Sequence, residues 1–144
     1  MQEPKTKKKL TATIIIAVVI AAVSVTLIQY FFFKDAAKDT EVIELVAKYN
    51  KNCPLEIQPG IRLDSVNLPE GHTIQYNQTL VNVEKATAEI DTIKQNIEQS
   101  LISTVKANPG LQVFRDKEFT LIYHYNDRKK DSLFQIAITP EQYK

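Results

Sequence analysis

The sequence predicts an α+β protein: an N-terminal transmembrane helix, then a small domain with a mainly antiparallel five-stranded sheet and two helices, in the order α-β-β-α-β-β-β. Three observations predict it. An uncharged apolar stretch of membrane-spanning length occupies residues 10–33. Two later stretches, 40–52 and 84–108, place apolar side chains at helical spacing. Five short stretches alternate apolar and polar residues with a period of two and are separated by Pro, Gly or polar runs.

Residues 10–33 read LTATIIIAVVIAAVSVTLIQYFFF, with no charge between Lys9 and Lys34. At about 1.5 Å per residue this stretch gives roughly 36 Å of helix, enough to cross about 30 Å of hydrocarbon. Lys5, Lys7, Lys8 and Lys9 flank its N-terminal side, so the positive-inside rule keeps residues 1–9 cytoplasmic and sends 34–144 out of the cytoplasm. A cleavable signal is the rival reading, but the apolar run continues to Phe33, well past the small residues Ala22 and Ser24. The expected location is therefore the cell membrane, with a single pass and an exported C-terminal domain. No Gly or Pro occurs between Pro4 and Pro54, so no long flexible tether is expected.

The exported stretch, 34–144, is expected to form one domain. A helix over 40–52 places Val42, Leu45, Val46 and Tyr49 on one side and stops at Cys53 and Pro54. Residues 61–68 and 73–83 flank Pro69, Glu70, Gly71 and His72 and read as a β-hairpin. Over 84–108 a stripe of Ala86, Ile90, Ile93, Ile97, Leu101 and Val105 marks an amphipathic helix that ends at Asn108, Pro109 and Gly110. Strands are expected at 111–115, 119–125 and 132–139, as a meander. Alternation assigns Leu63, Ile74, Tyr76, Leu80, Leu121, Tyr123, Phe134, Ile136 and Ile138 to the helix-covered face. It turns Arg62, Asp64, Gln75, Asn77, Thr79, Thr120, His124 and Gln135 to the other.

Composition narrows the functional classes. Of 144 residues, 44% are hydrophobic and 24% charged, with a formal net charge of +1. Residues 34–144 hold 14 basic and 16 acidic side chains, which argues against a nucleic-acid partner. The single Cys excludes an intrachain disulfide and a cysteine-rich zinc module. His72 and His124 have no second Cys or His at ligand spacing, so no metal site is expected. All three glycines adjoin turn signals, and no phosphate-binding loop or nucleophile elbow is present. No cofactor and no catalytic residue are assigned.

Cys53 could act as a nucleophile with a histidine as base. The preferred reading is a small apolar residue packed at the end of the first helix. Arg62 and Asp64, two apart on one strand face, form either a solvated ion pair or a charged pair presented to a partner. Together with Asn77 and His124 they make the uncovered sheet face a candidate binding surface for a peptide or glycan.

The segments NKNCP at 50–54, RLDS at 62–65, YNQTL at 76–80 and FRD at 114–116 resemble small single-pass bacterial envelope proteins of unassigned activity. The resemblance spans most of 34–144 and implies a bacterial envelope setting, with no role attached to any residue. The expected function is that of a non-enzymatic binding or interaction domain close to the membrane. Its expected partners are the lipid bilayer and a membrane-proximal protein or envelope polymer. The alternative is a small envelope enzyme using Cys53 or His124.

Overall fold

The structure is a computed structural model and describes residues 15–16, 19–20, 22–27, 40–69 and 71–144. The chain divides into two units, Met1–Thr40 and Glu41–Lys144. In the first, the described residues between 15 and 27 are helical and exposed. Ser24 and Thr26 donate their hydroxyls to the carbonyls of Ile20 and Ala22, each at 2.8 Å.

The transmembrane helix expected over 10–33 is corrected here. No helix among the described residues is long and apolar enough to cross a membrane. Of the stretch 10–33, residues 15–16, 19–20 and 22–27 are described; the others, and the basic residues 1–9, lie outside the described residues.

A helix covers 40–52 (α1), all but its first residue in the second unit, as the spacing of Val42, Val46 and Tyr49 predicts. A strand the sequence reading missed follows, β1 at Leu55–Gln58. All four of its residues are exposed, and its alternation of Leu55 and Ile57 with Glu56 and Gln58 runs for only four residues between Pro54 and Pro59. Gly60 then turns the chain at φ +83°, a left-handed conformation that glycine adopts without strain. The expected hairpin forms from β2 at Ile61–Asn67 and β3 at Thr73–Leu80.

Helix α2 covers Ile90–Ala107, so 84–89 are not helical. The backbone there is held by another element: Lys85 N–H donates to the Asp127 carboxylate at 2.9 Å. The strand expected at 111–115 is instead a 3-10 turn at Pro109–Leu111 followed by a short helix α3 at Gln112–Asp116. Leu111 and Phe114 are the buried residues of these turns, and their separation of three is helical, not alternating. β4 at Thr120–Asn126 and β5 at Ser132–Ile138 follow as a hairpin. A last turn, α4 at Pro140–Tyr143, anchors the end of the chain through the Tyr143 hydroxyl, which donates to the Phe119 carbonyl at 2.8 Å.

The five strands lie in the order β1-β2-β3-β4-β5. Every neighbouring pair is antiparallel except β3 and β4, which run parallel. The sheet is therefore mixed, and the expected order and terminal meander are replaced by α-β-β-β-α-α-β-β-α. Parallel neighbours need a crossover connection, and α2 with α3 provides it.

The core lies on one side of the sheet. Leu63, Ile74, Tyr76, Leu80, Leu121, Tyr123, Ile136 and Ile138 are buried as alternation predicts, with Phe134 packed against them. Val66 joins them because β2 bulges. Its register passes from Leu63 opposite Gln78 to Ser65 opposite Asn77, so Asp64 is an extra residue and the faces of Ser65 and Val66 exchange.

Candidate functional site

The alternation that puts Leu63, Tyr76 and Tyr123 inside turns Arg62, Asn77 and His124 to the opposite sheet face. Asn77 and His124 are register partners on the parallel pair β3 and β4, and Arg62 lies opposite Thr79 on β2 and β3. The structure thereby brings together all four residues singled out in the sequence. Arg62, Asp64, Asn77 and His124 line one open pocket of about 720 Å³, joined by Ser65 and Lys130.

Hydrogen bonds within this face fix the side chains. Arg62 Nε donates to Asp64 Oδ1 at 2.6 Å, and the Thr79 hydroxyl donates to Asp64 Oδ2. Thr79, expected to be displayed on this face, is 1% exposed because it sits beneath that ion pair. Asn77 Nδ2 donates to Ser65 Oγ at 3.0 Å and to Asn67 Oδ1 at 2.8 Å, while its Oδ1 accepts from Gln75 Nε2 at 2.8 Å. His124 Nε2 lies 2.9 Å from Ser132 Oγ of β5.

Ser65 and Lys130 were missed in the sequence, for different reasons. Ser65 reaches this face only through the bulge at Asp64. Lys130 arrives from the turn between β4 and β5, where its φ of +69° is a left-handed conformation uncommon for a residue with a Cβ. The polar run at 126–131 signals a turn but not where its side chains point.

The charges on this face are unequal. Asp64 is already matched by Arg62, whereas among the described residues no carboxylate pairs with Lys130. An ammonium beside amide and hydroxyl groups suits a ligand group that is anionic or amide-like.

Cys53 adjoins this pocket through Pro54, which lines it, but its Sγ donates to the Tyr49 carbonyl at 3.2 Å. Burial, and then the Asp64 carboxylate, push its thiol above the usual range, which disfavours the thiolate a nucleophile needs. His72 packs edge-on against Phe119, with ring centroids 5.2 Å apart, and is not among the pocket residues. Among the described residues no group of three or more His, Cys, Asp or Glu side chains could hold a metal ion.

A family model for a domain of unknown function, DUF8479, matches residues 36–134. The chain belongs to that family. No curated protein matches the sequence, but solved structures share the fold of this DUF8479 chain. A candidate secreted protein from Pseudomonas aeruginosa superposes with a TM-score of 0.63 at 12% identity, over 77% of this chain and 96% of its own. The type 2 secretion system pilotin EpsS from Vibrio vulnificus gives 0.58 at 6% identity, over 76% and 97%. The type II secretion system pilotin AspS from Vibrio cholerae gives 0.54 at 14%, over 74% and 96%. At such identities the likeness is one of fold.

Proposed function

We propose that the chain is a non-enzymatic interaction domain of the bacterial envelope, located outside the cytoplasm. Its contact surface is the sheet face of Arg62, Asp64, Asn77, His124 and Lys130. One observation carries this reading: residues from three adjacent strands and one turn converge on a single open, polar pocket. The pilotins that share the fold are named for type II secretion systems, which supports a partner that is itself an envelope-assembly protein. The fitting partner segment is one that presents a carboxylate or an amide oxygen to Lys130.

A photocrosslinking amino acid placed at Asn77 or His124 in living cells tests this. An adduct with a discrete envelope protein is expected, its yield falling when Lys130 is changed to Glu. Equal yield in K130E, or adducts only from positions on the opposite sheet face, would overturn the assignment.

A further inference from the structure

On the other side of the sheet, between β3, β4 and α2, lies a cavity of about 330 Å³, at the lower end of the roughly 300–1,000 Å³ typical of small-molecule sites. Tyr76 and Tyr123 line it from the sheet and Leu101 from α2. The rings of Tyr76 and Tyr123 stack with centroids 5.0 Å apart and planes 11° from parallel. Tyr49 of α1 also lines it, tilted at 55° to Tyr76 with centroids 6.5 Å apart. Protein interiors close such space when packing alone decides.

Two atoms distinguish this cavity from a packing gap. The hydroxyl of Tyr76 and Oε1 of Gln78 are buried with no hydrogen-bond partner among the described residues. Both residues line the cavity, and they are only 6% and 3% exposed. Residues 76 and 78 stand two apart on β3 and share its inner face, so both atoms address one occupant. Phe and Leu would fill the same positions without leaving polar groups orphaned.

The cavity is also neutral. No Asp, Glu, Lys, Arg or His lines it, and burial raises the phenols of Tyr76, Tyr123 and Tyr125. An ion entering this space would find no counter-charge, which makes its burial prohibitive.

We propose that this cavity binds a small neutral amphiphile. An apolar body packs against Tyr123 and Leu101, and one hydroxyl or amide group donates to Gln78 Oε1 and accepts from the Tyr76 hydroxyl. The site is separate from the polar face, and its test does not depend on that reading.

The probe is 1-octanol, titrated into the full chain and followed by tyrosine fluorescence, since the sequence has six Tyr and no Trp. Octanoate at pH 8 serves as the charged counterpart. Saturable binding of one octanol is expected, with octanoate at least tenfold weaker. Gln78→Leu should weaken octanol about three- to tenfold, the loss of one hydrogen bond. Ser100→Phe, at an exposed α2 position on the cavity lining, should abolish binding while leaving the fold intact and the chain free of Trp. No saturable binding of octanol, octanoate binding as tightly, or octanol binding unchanged in folded S100F would each overturn the proposal.

Discussion

Asn50, in the last turn of α1, holds the backbone of Val66 with both ends of its side-chain amide. Nδ2 donates to the Val66 carbonyl at 2.7 Å, and Oδ1 accepts from the Val66 N–H at 2.8 Å. The pairing of β1 with β2 reaches only to Leu55 opposite Leu63, so the outer edge of β2 beyond that point has no strand partner. The Asn50 amide substitutes for one and ties α1 to the sheet just after the bulge.

Asn50→Ala should therefore leave one donor and one acceptor of β2 without their partner. Each neutral hydrogen bond contributes roughly 0.5–1.5 kcal/mol net, so a loss of about 1–3 kcal/mol is expected. A lower urea midpoint at unchanged slope would show it. Asn50→Asp, which keeps the acceptor but not the donor, should fall at least as far because it sets a carboxylate against the Val66 carbonyl.

Arg115 caps the end of α2 in a comparable way. Its Nη1 donates to the carbonyls of Val105 at 2.6 Å and Asn108 at 2.8 Å, groups at or just beyond the helix terminus, where intrahelical donors run out. Arg115→Ala should cost about 1.5–3 kcal/mol, the range for hydrogen bonds to a charged group. Hydrogen exchange at amides 104–111 should quicken more than in β3 or β4. Arg115→Lys should restore only part of this, because the shorter lysine stem does not carry its ammonium to the position of Nη1 between the two carbonyls.

These contacts also mark how far local pattern could be read. The inner face of β3, β4 and β5 was legible because its apolar residues alternate over unbroken strands. Asn77 and His124 were legible as a shared polar face for the same reason, and Arg62 and Asp64 because they come before the register of β2 shifts at Ser65. β1 was not, since its alternation of Leu55 and Ile57 with Glu56 and Gln58 spans only four residues between two prolines and none of them is buried. Residues 111–115 deceived because LQVFR offers apolar residues at both spacings, and burial of Leu111 with Phe114 selects the helical one. The start of α2 depended on Asp127, some forty residues downstream, and the parallel pairing of β3 with β4 on where the crossover returned. Gln78 did leave a trace: it stands between Tyr76 and Leu80 on a face that is otherwise apolar.

Gln78→Leu should raise stability. The side chain is 3% exposed and its Oε1 has no partner among the described residues, so an apolar replacement of similar reach removes a desolvated acceptor. A gain of about 1 kcal/mol, at the low end of the usual penalty for such a group, should appear as a higher thermal midpoint in the absence of ligand. Gln78→Glu should do the reverse, because it places a charge where no cation lines the cavity.

Asp127 sets the acid limit of the fold. It is 1% exposed, and its carboxylate accepts backbone N–H groups from Lys85 at 2.9 Å, Lys129 at 2.8 Å and Asp131 at 2.9 Å. These bonds, that of Lys85 foremost, hold its carboxyl below the usual aspartate range. An aspartate in the unfolded chain titrates near about 3.9. The folded state therefore binds this proton less readily, and the stabilisation is complete above roughly pH 5 and lost as pH falls through about 4 toward the lower folded value. Glu84, paired with Lys129 and Arg128, and Glu118, paired with Lys144, are lowered in the same direction. They lie at the surface, where such pairs contribute little and salt screens them. Salt thus separates the two sources. In 0.5 M NaCl the acid-side loss of stability should persist in the wild-type chain and flatten in Asp127→Asn, which should also be less stable at pH 7 because a neutral amide offers one acceptor oxygen in place of two. An acid limb that disappears with salt in the wild type would assign the pH dependence to the surface pairs instead.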